Sequence, residues 1–256
     1  RVKSISSSAP CNGVRLPMLI SPKHSFVFFC TPKCASNSVE AMLKPYAQLQ
    51  LLGSPAVRHT NVQTFDEHLA PYLASVAPET RFTRVAIVRD PVDWLYSWYR
   101  FRSRAELRGG ASANSTEGVS FAEFVDCYLD VDSRPAFADV GSQAEFLATQ
   151  DGSIGVDRLF AFDELEALVE FFSDRVGKPL SLTALNVSPS KAYQNRAVEQ
   201  VMSIMRGVKS RIGLGPAASR PKPKVEAAEL ITGDSLAELK KLLAGDYRFY
   251  EMSERP

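Results

Sequence analysis

The segment "CTPKCASNS" (30–38) places a lysine before a run of small and polar residues. Lys33 supplies a mobile positive charge, and the residues after it offer hydroxyl, amide and backbone N–H groups with little side-chain bulk. Those residues are Cys34, Ala35, Ser36, Asn37 and Ser38. If a helix begins near Ser36, its unpaired first-turn N–H groups and its dipole favour an anion the size of phosphate or sulfate. The alternative is a surface lysine beside a serine-rich helix start, and this segment alone leaves both open.

The same segment differs from the phosphate-binding loop of ATP and GTP hydrolases, which reads GxxxxGK[ST]. It lacks both glycines, and its lysine precedes the small residues instead of following the glycines. No Ser or Thr comes directly after Lys33 to hold Mg²⁺. An NTPase is therefore disfavoured, although a P-loop-type kinase or NTPase stays as one alternative function.

A second set of anion-binding residues lies in "VRDPVDWLYSWY" (88–99). Arg89 follows an apolar run, Asp90 suits a helix N-cap and Pro91 suits the first helical position. Ser97 then lies about two turns into that helix, so Arg89 and Ser97 can bind one anion that lies beside the helix. The alternative is that Arg89 pairs with a neighbouring aspartate.

Apolar runs that alternate with helical patterns must position these residues. The runs at 26–30, 84–88 and 158–162 are short and rich in β-branched or aromatic residues, which predicts strands buried on both faces. A helix-like segment follows each run, and this alternation predicts parallel βαβ units. The anion-binding residues would then lie at the carboxyl ends of two strands, where open α/β sheets bind ligands.

Helix boundaries are marked by local signals. The segments "TFDE" (64–67) and "SFAE" (120–123) read as capping boxes. Apolar residues at 3.6-residue spacing over 165–176 predict a helix that ends at Gly177, and leucines over 236–243 predict a last amphipathic helix.

Together these residues resemble sulfotransferases that use 3′-phosphoadenosine 5′-phosphosulfate (PAPS). The segment "TPKCASNS" (31–38) is similar to the 5′-phosphosulfate loop of that family. The segment 88–99 is similar to its 3′-phosphate motif, in which an Arg and a Ser stand eight positions apart. Weaker similarities to the bacterial and carbohydrate-type branch follow in the same order, at "VGSQAEFL" (140–147), "FDELE" (162–166) and "LNVS" (185–188).

The resemblance implies one α/β domain over residues 1–256, with a central, mainly parallel sheet flanked by helices in a P-loop NTPase-like sulfotransferase fold. It implies that Lys33 contacts the bridging oxygen of the donor and that Arg89 and Ser97 hold the 3′-phosphate. The residues that would hold the 5′-phosphosulfate with Lys33 are Cys34, Ala35, Ser36, Asn37 and Ser38. Cys34 and Asn37 stand where the family more often has Thr or Ser. No metal is implied, because protein cations and N–H groups neutralise the charge.

Transfer to a hydroxyl also needs a group that accepts its proton. His59, between the two cofactor motifs, is expected to act as this base, because sequences of the family often carry a histidine in this segment. The alternative is a histidine in a surface loop. Asp66 or Glu67 is the second choice of base, although both also suit the first turn of a helix.

Aromatic and basic side chains crowd the helix predicted after the second strand. Trp94 and Trp98 stand one turn apart, which favours core packing over a wall of the ligand site. Three arginines form an i, i+4, i+8 stripe that is either a solvated face or a surface for an anionic glycan. They are Arg100, Arg104 and Arg108.

Composition limits the partners of the chain. Its net charge of +1 gives no general affinity for nucleic acid, and no apolar run approaches the ~20 residues that span a bilayer. We therefore expect an acceptor that is a glycan or a small molecule, with no nucleic acid and no membrane insertion; the oligomeric state cannot be read. Four cysteines in 256 residues form no disulfide scaffold, so a reducing compartment, the cytoplasm, is expected.

Three segments are predicted to lie outside regular elements. Residues 1–20 form an N-terminal extension without the apolar region of a secretory signal, and 108–118 is a small, polar loop. The segment 210–224 is rich in Gly, Pro and basic residues, which predicts either a disordered loop or a mobile basic lid over an anionic ligand.

The sequence thus predicts an enzyme that moves a sulfuryl group in line from PAPS to a hydroxyl or amine of a carbohydrate or small metabolite. Besides the kinase, the alternative is a non-catalytic module that binds a nucleotide or an anionic glycan. Such a module would keep Arg89 and Ser97 but would not need Lys33 or His59.

Overall fold

The structure is a computed structural model in which these residues are described: 18–51, 57, 59–104, 113–182 and 226–254. The predicted loop at 210–224, the similarity at 185–188 and Arg108 lie outside them. Of the loop at 108–118, residues 113–118 are described and form turns. There Thr116 is buried, and its Oγ1 donates to the Tyr99 carbonyl at 3.1 Å.

A five-stranded sheet forms the centre of the fold, in the order β3-β1-β2-β4-β5. The strands are β1 (Met18–Ser21), β2 (Phe26–Phe29), β3 (Leu49–Leu51), β4 (Thr83–Val88) and β5 (Arg158–Ala161). The three strands expected from the apolar runs are β2, β4 and β5, each within one residue of its predicted bounds.

The sheet is mixed. β2 pairs in parallel with β4, and β4 with β5, but β1 is antiparallel to both β2 and β3. The expected central sheet is confirmed, whereas its mainly parallel character holds only for β2, β4 and β5. The reason is local: the turn at 22–25 is too short to return the chain for a parallel pairing, so it joins antiparallel neighbours. Residues 18–20, expected in the N-terminal extension, belong to β1 and are buried.

Helices cover both faces of the sheet. They are α1 (Ser36–Leu43), α2 (Val62–Thr64), α3 (Ala70–Val76), α4 (Pro91–Arg102), α5 (Phe121–Leu129), α6 (Gln143–Leu147), α7 (Leu165–Val176), α8 (Gly233–Leu242) and α9 (Ala244–Glu251). A π-helical turn, Phe65–Leu69, joins α2 to α3, and short 3₁₀ turns lie at Lys44–Tyr46 and Ala227–Leu230.

Alternate residues of the strands enter two apolar cores. Phe28 and Val85 face the core that contains α1, α4, α5, α7 and α8, while Phe29 and Ala86 face the core that contains α2, α6 and α9. Burial on both faces explains why the central strands read as continuous apolar runs. Within the described ranges, none of the helices combines the length and the apolar character that crossing a membrane would require.

Several helix boundaries follow the local signals. Ser120 and Glu123 form the expected capping box of α5, and Gly177 ends α7 with a φ of 69°. The capping box expected at 64–67 is wrong, because the helix begins earlier. The side chain of Asn61 accepts the N–H of Thr64 at 2.9 Å, so Thr64 already lies inside the first turn.

Candidate active site

The chain leaves β2 through a turn and then enters α1 at Ser36, as the sequence predicted, and the turn is strained. Lys33 and Ala35 both adopt left-handed backbone conformations, with φ of 65° and 56°. Each such conformation costs a non-glycine residue about 1–2 kcal/mol, so the surroundings must hold the turn in place. The turn directs the N–H groups at the start of α1 toward the carboxyl end of the sheet.

Two side chains brace this turn. The Ser36 hydroxyl donates to the carbonyl of Thr31 at 2.7 Å, across the base of the turn. The indole Nε1 of Trp94, on α4, donates to the carbonyl of Pro32 at 2.8 Å. Trp94 is thus a core residue, as its spacing predicted, and it fixes the turn to the neighbouring helix.

Lys33 extends from the turn into a half-buried aromatic setting. Its Nζ lies 4.1 Å from the ring centre of Phe101 and 5.5 Å from that of Trp98. Burial first, and then the charge of nearby arginines, lowers the pKa of Lys33 to about 7. In decreasing order of effect these are Arg104, Arg89 and Arg102. The structure therefore brings Lys33 and Arg89 into one positively charged region that favours an anion.

Arg89 follows the last residue of β4 and is almost completely buried. Its Nη2 lies 3.5 Å from Oδ2 of Asp93, so the aspartate pairing considered from the sequence is present. Its guanidinium carbon lies 4.6 Å from the ring centre of Phe162. Asp90 caps α4 by accepting the Asp93 N–H at 3.0 Å, as expected. Ser97 is half-buried on the same helix, ~9 Å along its axis from Pro91.

Three buried polar atoms near these strand ends have no hydrogen-bond partner among the described residues. They are Thr31 Oγ1, Arg89 Nε and Trp98 Nε1. A buried donor left unpaired costs about 1–3 kcal/mol, and native proteins rarely accept that cost without a functional reason. Such a group of donors beside a cationic region is a feature of a ligand site.

One buried side chain joins the two anion-binding segments. Oε1 of Gln143 accepts the backbone N–H of Arg89 at 2.9 Å and the thiol of Cys34 at 3.4 Å, while its Nε2 donates to the Arg89 carbonyl at 2.8 Å. Burial raises the pKa of Cys34 to about 12, so its thiol stays neutral and faces the protein.

Asp246 holds Gln143 from the far end of the chain. Its carboxylate, on α9, accepts the N–H of Gln143 at 2.7 Å and that of Ala144 at 3.3 Å. Burial raises the pKa of Asp246 to about 6. Neither Gln143 nor Asp246 was predicted from the sequence to belong to the site. The only signal was that Gln143 lies in the 140–147 similarity, just inside the helix capped by Ser142.

His59 lies at the same strand end as the turn. Its Nδ1 is 2.6 Å from the carbonyl of Cys30, the first residue after β2. In the neutral imidazole Nδ1 must donate this bond, which puts the lone pair on Nε2. The second-choice base lies elsewhere, because Asp66 pairs at 2.6 Å with Arg84, near the start of β4. Glu67 is exposed, 3.8 Å from His68 Nε2.

The two described arginines of the predicted stripe, Arg100 and Arg104, lie over different aromatic rings. Arg104 lies over the ring of Phe101 at 5.0 Å, and Arg100 lies over Tyr96 at 5.9 Å. Of the two described members, only Arg104 lowers the pKa of Lys33, which places it at the edge of the cationic region.

A family model described as the sulfotransferase family matches residues 16–252. The chain belongs to the sulfotransferase family. The match spans both predicted anion-binding segments, Gln143, which connects them, and Asp246, which holds Gln143. Comparisons with curated proteins and with solved structures found no match.

Membership makes this sulfotransferase a transferase that acts on an acceptor, as the sequence resemblance implied. The donor, the acceptor, the bacterial branch and the P-loop-like fold stay predictions. Across the described ranges, no three or more His, Cys, Asp or Glu side chains gather in a way that could hold a metal ion.

Proposed function

We propose that this sulfotransferase moves a sulfuryl group from PAPS to a hydroxyl or amine of a carbohydrate or small metabolite. One observation carries the proposal: Gln143 connects the Lys33 turn to Arg89, at the carboxyl ends of the neighbouring parallel strands β2 and β4. That edge is where α/β sheets bind nucleotides. A donor with two separated anionic groups fits two adjoining cationic segments better than a ligand with one.

The donor would lie across both strand ends. Lys33 and the N–H groups of residues 35–37 would hold the 5′-phosphosulfate, and Arg89 with Ser97 would hold the 3′-phosphate. The thiol and the N–H of Cys34 and the hydroxyl of Ser36 already bond within the protein, so Cys34 would line the loop and Ser36 would contribute its backbone N–H. The side chains of Asn37 and Ser38 would add polar contacts at the start of α1.

The chemistry would follow from the positions of Lys33 and His59. The acceptor oxygen attacks sulfur, its proton passes to Nε2 of His59, and the bond between sulfur and the bridging oxygen breaks. The electron pair of that bond stays on the departing 5′-phosphate, where the Lys33 ammonium stabilises it. The products are the sulfated acceptor and 3′,5′-adenosine bisphosphate, and protein cations take the place of a metal ion.

The setting of the reaction is part of the proposal. We place the enzyme in the cytoplasm, because the free thiols of Cys34 and Cys127 suit a reducing compartment. Acceptor contacts would come from loops, because binding residues concentrate on loops that a rigid scaffold positions.

A transfer assay tests this function. Sulfate-labelled PAPS is incubated with a panel of sugars, glycans and small alcohols or amines, and calorimetry compares 3′,5′-adenosine bisphosphate with ATP. We expect labelled product and tighter binding of the bisphosphate. Tighter binding of ATP would indicate a kinase, and bisphosphate binding without transfer to any acceptor would indicate a binding module.

A further inference from the structure

Gln143 links the two segments that we assign to the donor, in addition to the bond from Trp94 Nε1 to the Pro32 carbonyl. Its carboxamide pairs with both the N–H and the carbonyl of Arg89, at 2.9 and 2.8 Å, as a neighbouring strand would do. These two bonds fix the backbone on both sides of the Arg89 Cα, just after β4 ends. The third bond, from the Cys34 thiol, reaches the Lys33 turn.

The position of the Arg89 guanidinium depends on this support. Arg89 has one long ionic contact, to Asp93 at 3.5 Å, and its guanidinium carbon lies 4.6 Å from the ring centre of Phe162. Its buried Nε has no hydrogen-bond partner among the described residues. The side chain thus has few polar contacts of its own, and the place and direction in which it leaves β4 are set by the backbone that Gln143 holds.

Gln143 is itself fixed from both ends. Its backbone N–H and that of Ala144 are bound by Asp246, and its side chain is fully buried. A buried amide with three hydrogen bonds has one well-defined rotamer, and removing the bonds leaves polar groups unpaired. The amide can therefore transmit the position of α9 to Arg89.

We infer that Gln143 is a positioning residue that sets the Arg89 guanidinium for the 3′-phosphate and thereby gives the site its preference for 3′-phosphorylated nucleotides. The inference rests on the proposed function, because it assigns the 3′-phosphate to Arg89. Gln143 itself touches no ligand and acts through Arg89.

Calorimetry with two nucleotides separates positioning from a general structural role. Gln143→Met keeps the length and burial of the side chain but removes its hydrogen bonds. We expect this variant to bind 3′,5′-adenosine bisphosphate about tenfold more weakly, which corresponds to about 1.4 kcal/mol. Its affinity for 5′-AMP should fall less than about twofold. In an Arg89→Met background, Gln143→Met should lower the affinity for the bisphosphate less than about twofold, because Arg89, the residue through which Gln143 acts, is gone.

Controls keep the test decisive. Gln63→Ala changes an exposed glutamine on α2 and should leave both affinities unchanged. If Gln143→Met does not fold, Gln143→Glu replaces it: Glu keeps an acceptor for the Arg89 N–H, loses the donor to its carbonyl, and should show the same selective loss. Equal losses for both nucleotides, or an undiminished effect beside Arg89→Met, would overturn the inference while the function stands. Failure of the unaltered protein to bind the bisphosphate would overturn the proposed function, and the inference with it.

Discussion

Lys33 combines two properties that oppose each other. Its ammonium is the group that we assign to the leaving phosphate, yet it lies half-buried against Phe101 and near the charge of Arg104 and Arg89. Without an anion, a cation in such a place is costly, and its pKa falls to about 7 as a result. Function and stability should therefore change in opposite directions when Lys33 is replaced.

Lys33→Met tests this opposition. It should lower the turnover number by about 100-fold or more, because the departing charge loses its stabilising cation. It should also raise the free energy of unfolding at pH 7, by up to about 4 kcal/mol, because the pKa of Lys33 falls from 10.5 to about 7 and one pKa unit corresponds to about 1.4 kcal/mol. Urea unfolding and initial-rate assays measure the two effects. Lys178→Met, at an exposed lysine, is the control, and a destabilised Lys33→Met would contradict the expectation.

The lowered pKa of Lys33 also predicts how ligand binding depends on pH. Above pH 7 Lys33 is mostly neutral in the free protein, and the bound bisphosphate would require the ammonium. The affinity for 3′,5′-adenosine bisphosphate should therefore be highest below pH 7 and fall by up to about tenfold per unit above it. Calorimetry at pH 6–9 measures this slope, and Lys33→Met isolates it from titration of the nucleotide. Identical slopes for both proteins would refute the prediction.

At the scale of the element, the turn between β2 and α1 does the positioning that glycines do in other phosphate-binding loops. Lys33 and Ala35 adopt positive φ although neither is a glycine. Trp94, Ser36 and Gln143 supply the bonds that hold this conformation. Strain that is held in place by neighbours keeps the N–H groups of α1 oriented before a ligand arrives.

Ala35→Gly measures that strain. Glycine adopts a φ of 56° without cost but gains more freedom in the unfolded chain, so the two effects partly offset each other. We expect the free energy of unfolding to stay unchanged or to rise by up to about 1 kcal/mol. Ala237→Gly, in an exposed turn of α8, should instead cost about 1 kcal/mol. If both variants lose equal stability in urea titrations, the turn is not strained.

At the scale of the whole molecule, what could be predicted from the sequence was local. β2, β4, Asp90 and Pro91 were predicted because each signal lies within a few residues of the feature it specifies. Gln143 was missed because its partners lie 54 and 109 residues away, and no local pattern encodes such pairings.

Two features that the sequence did not predict correctly also depend on distant contacts or on neighbouring residues. The antiparallel side of the sheet was missed because β1 and β3 are short, with bounds of Met18–Ser21 and Leu49–Leu51. Their pairing is set by the turn before β2 and by contacts in the fold, not by a pattern of their own. The helix start expected at 64–67 was wrong because Asn61 and Thr64 are both possible N-caps, only three residues apart, and Asn61 caps the helix.

Asp246, on α9, holds Gln143 through buried hydrogen bonds, and this contact should make stability depend on pH. Its pKa is raised to about 6 in the folded protein, from an ordinary value of 3.8. Between these two pH values the unfolded chain releases the proton while the folded protein keeps it. The contribution of Asp246 to stability therefore falls as the pH rises from about 4 to about 6, by about 2–3 kcal/mol, and stays low above that.

Asp246→Asn should remove this dependence. Asparagine has nearly the same shape and keeps one acceptor for the Gln143 N–H, but it cannot ionise. Urea unfolding of both proteins from pH 4 to pH 7.5 gives the difference between their free energies. As the pH rises across that range, the free energy of unfolding of the variant should increase by about 2–3 kcal/mol relative to that of the unaltered protein, with most of the increase below pH 6. A constant difference would mean that the carboxylate is not desolvated in solution, and the rigid support of Gln143 by α9 would lose its physical basis.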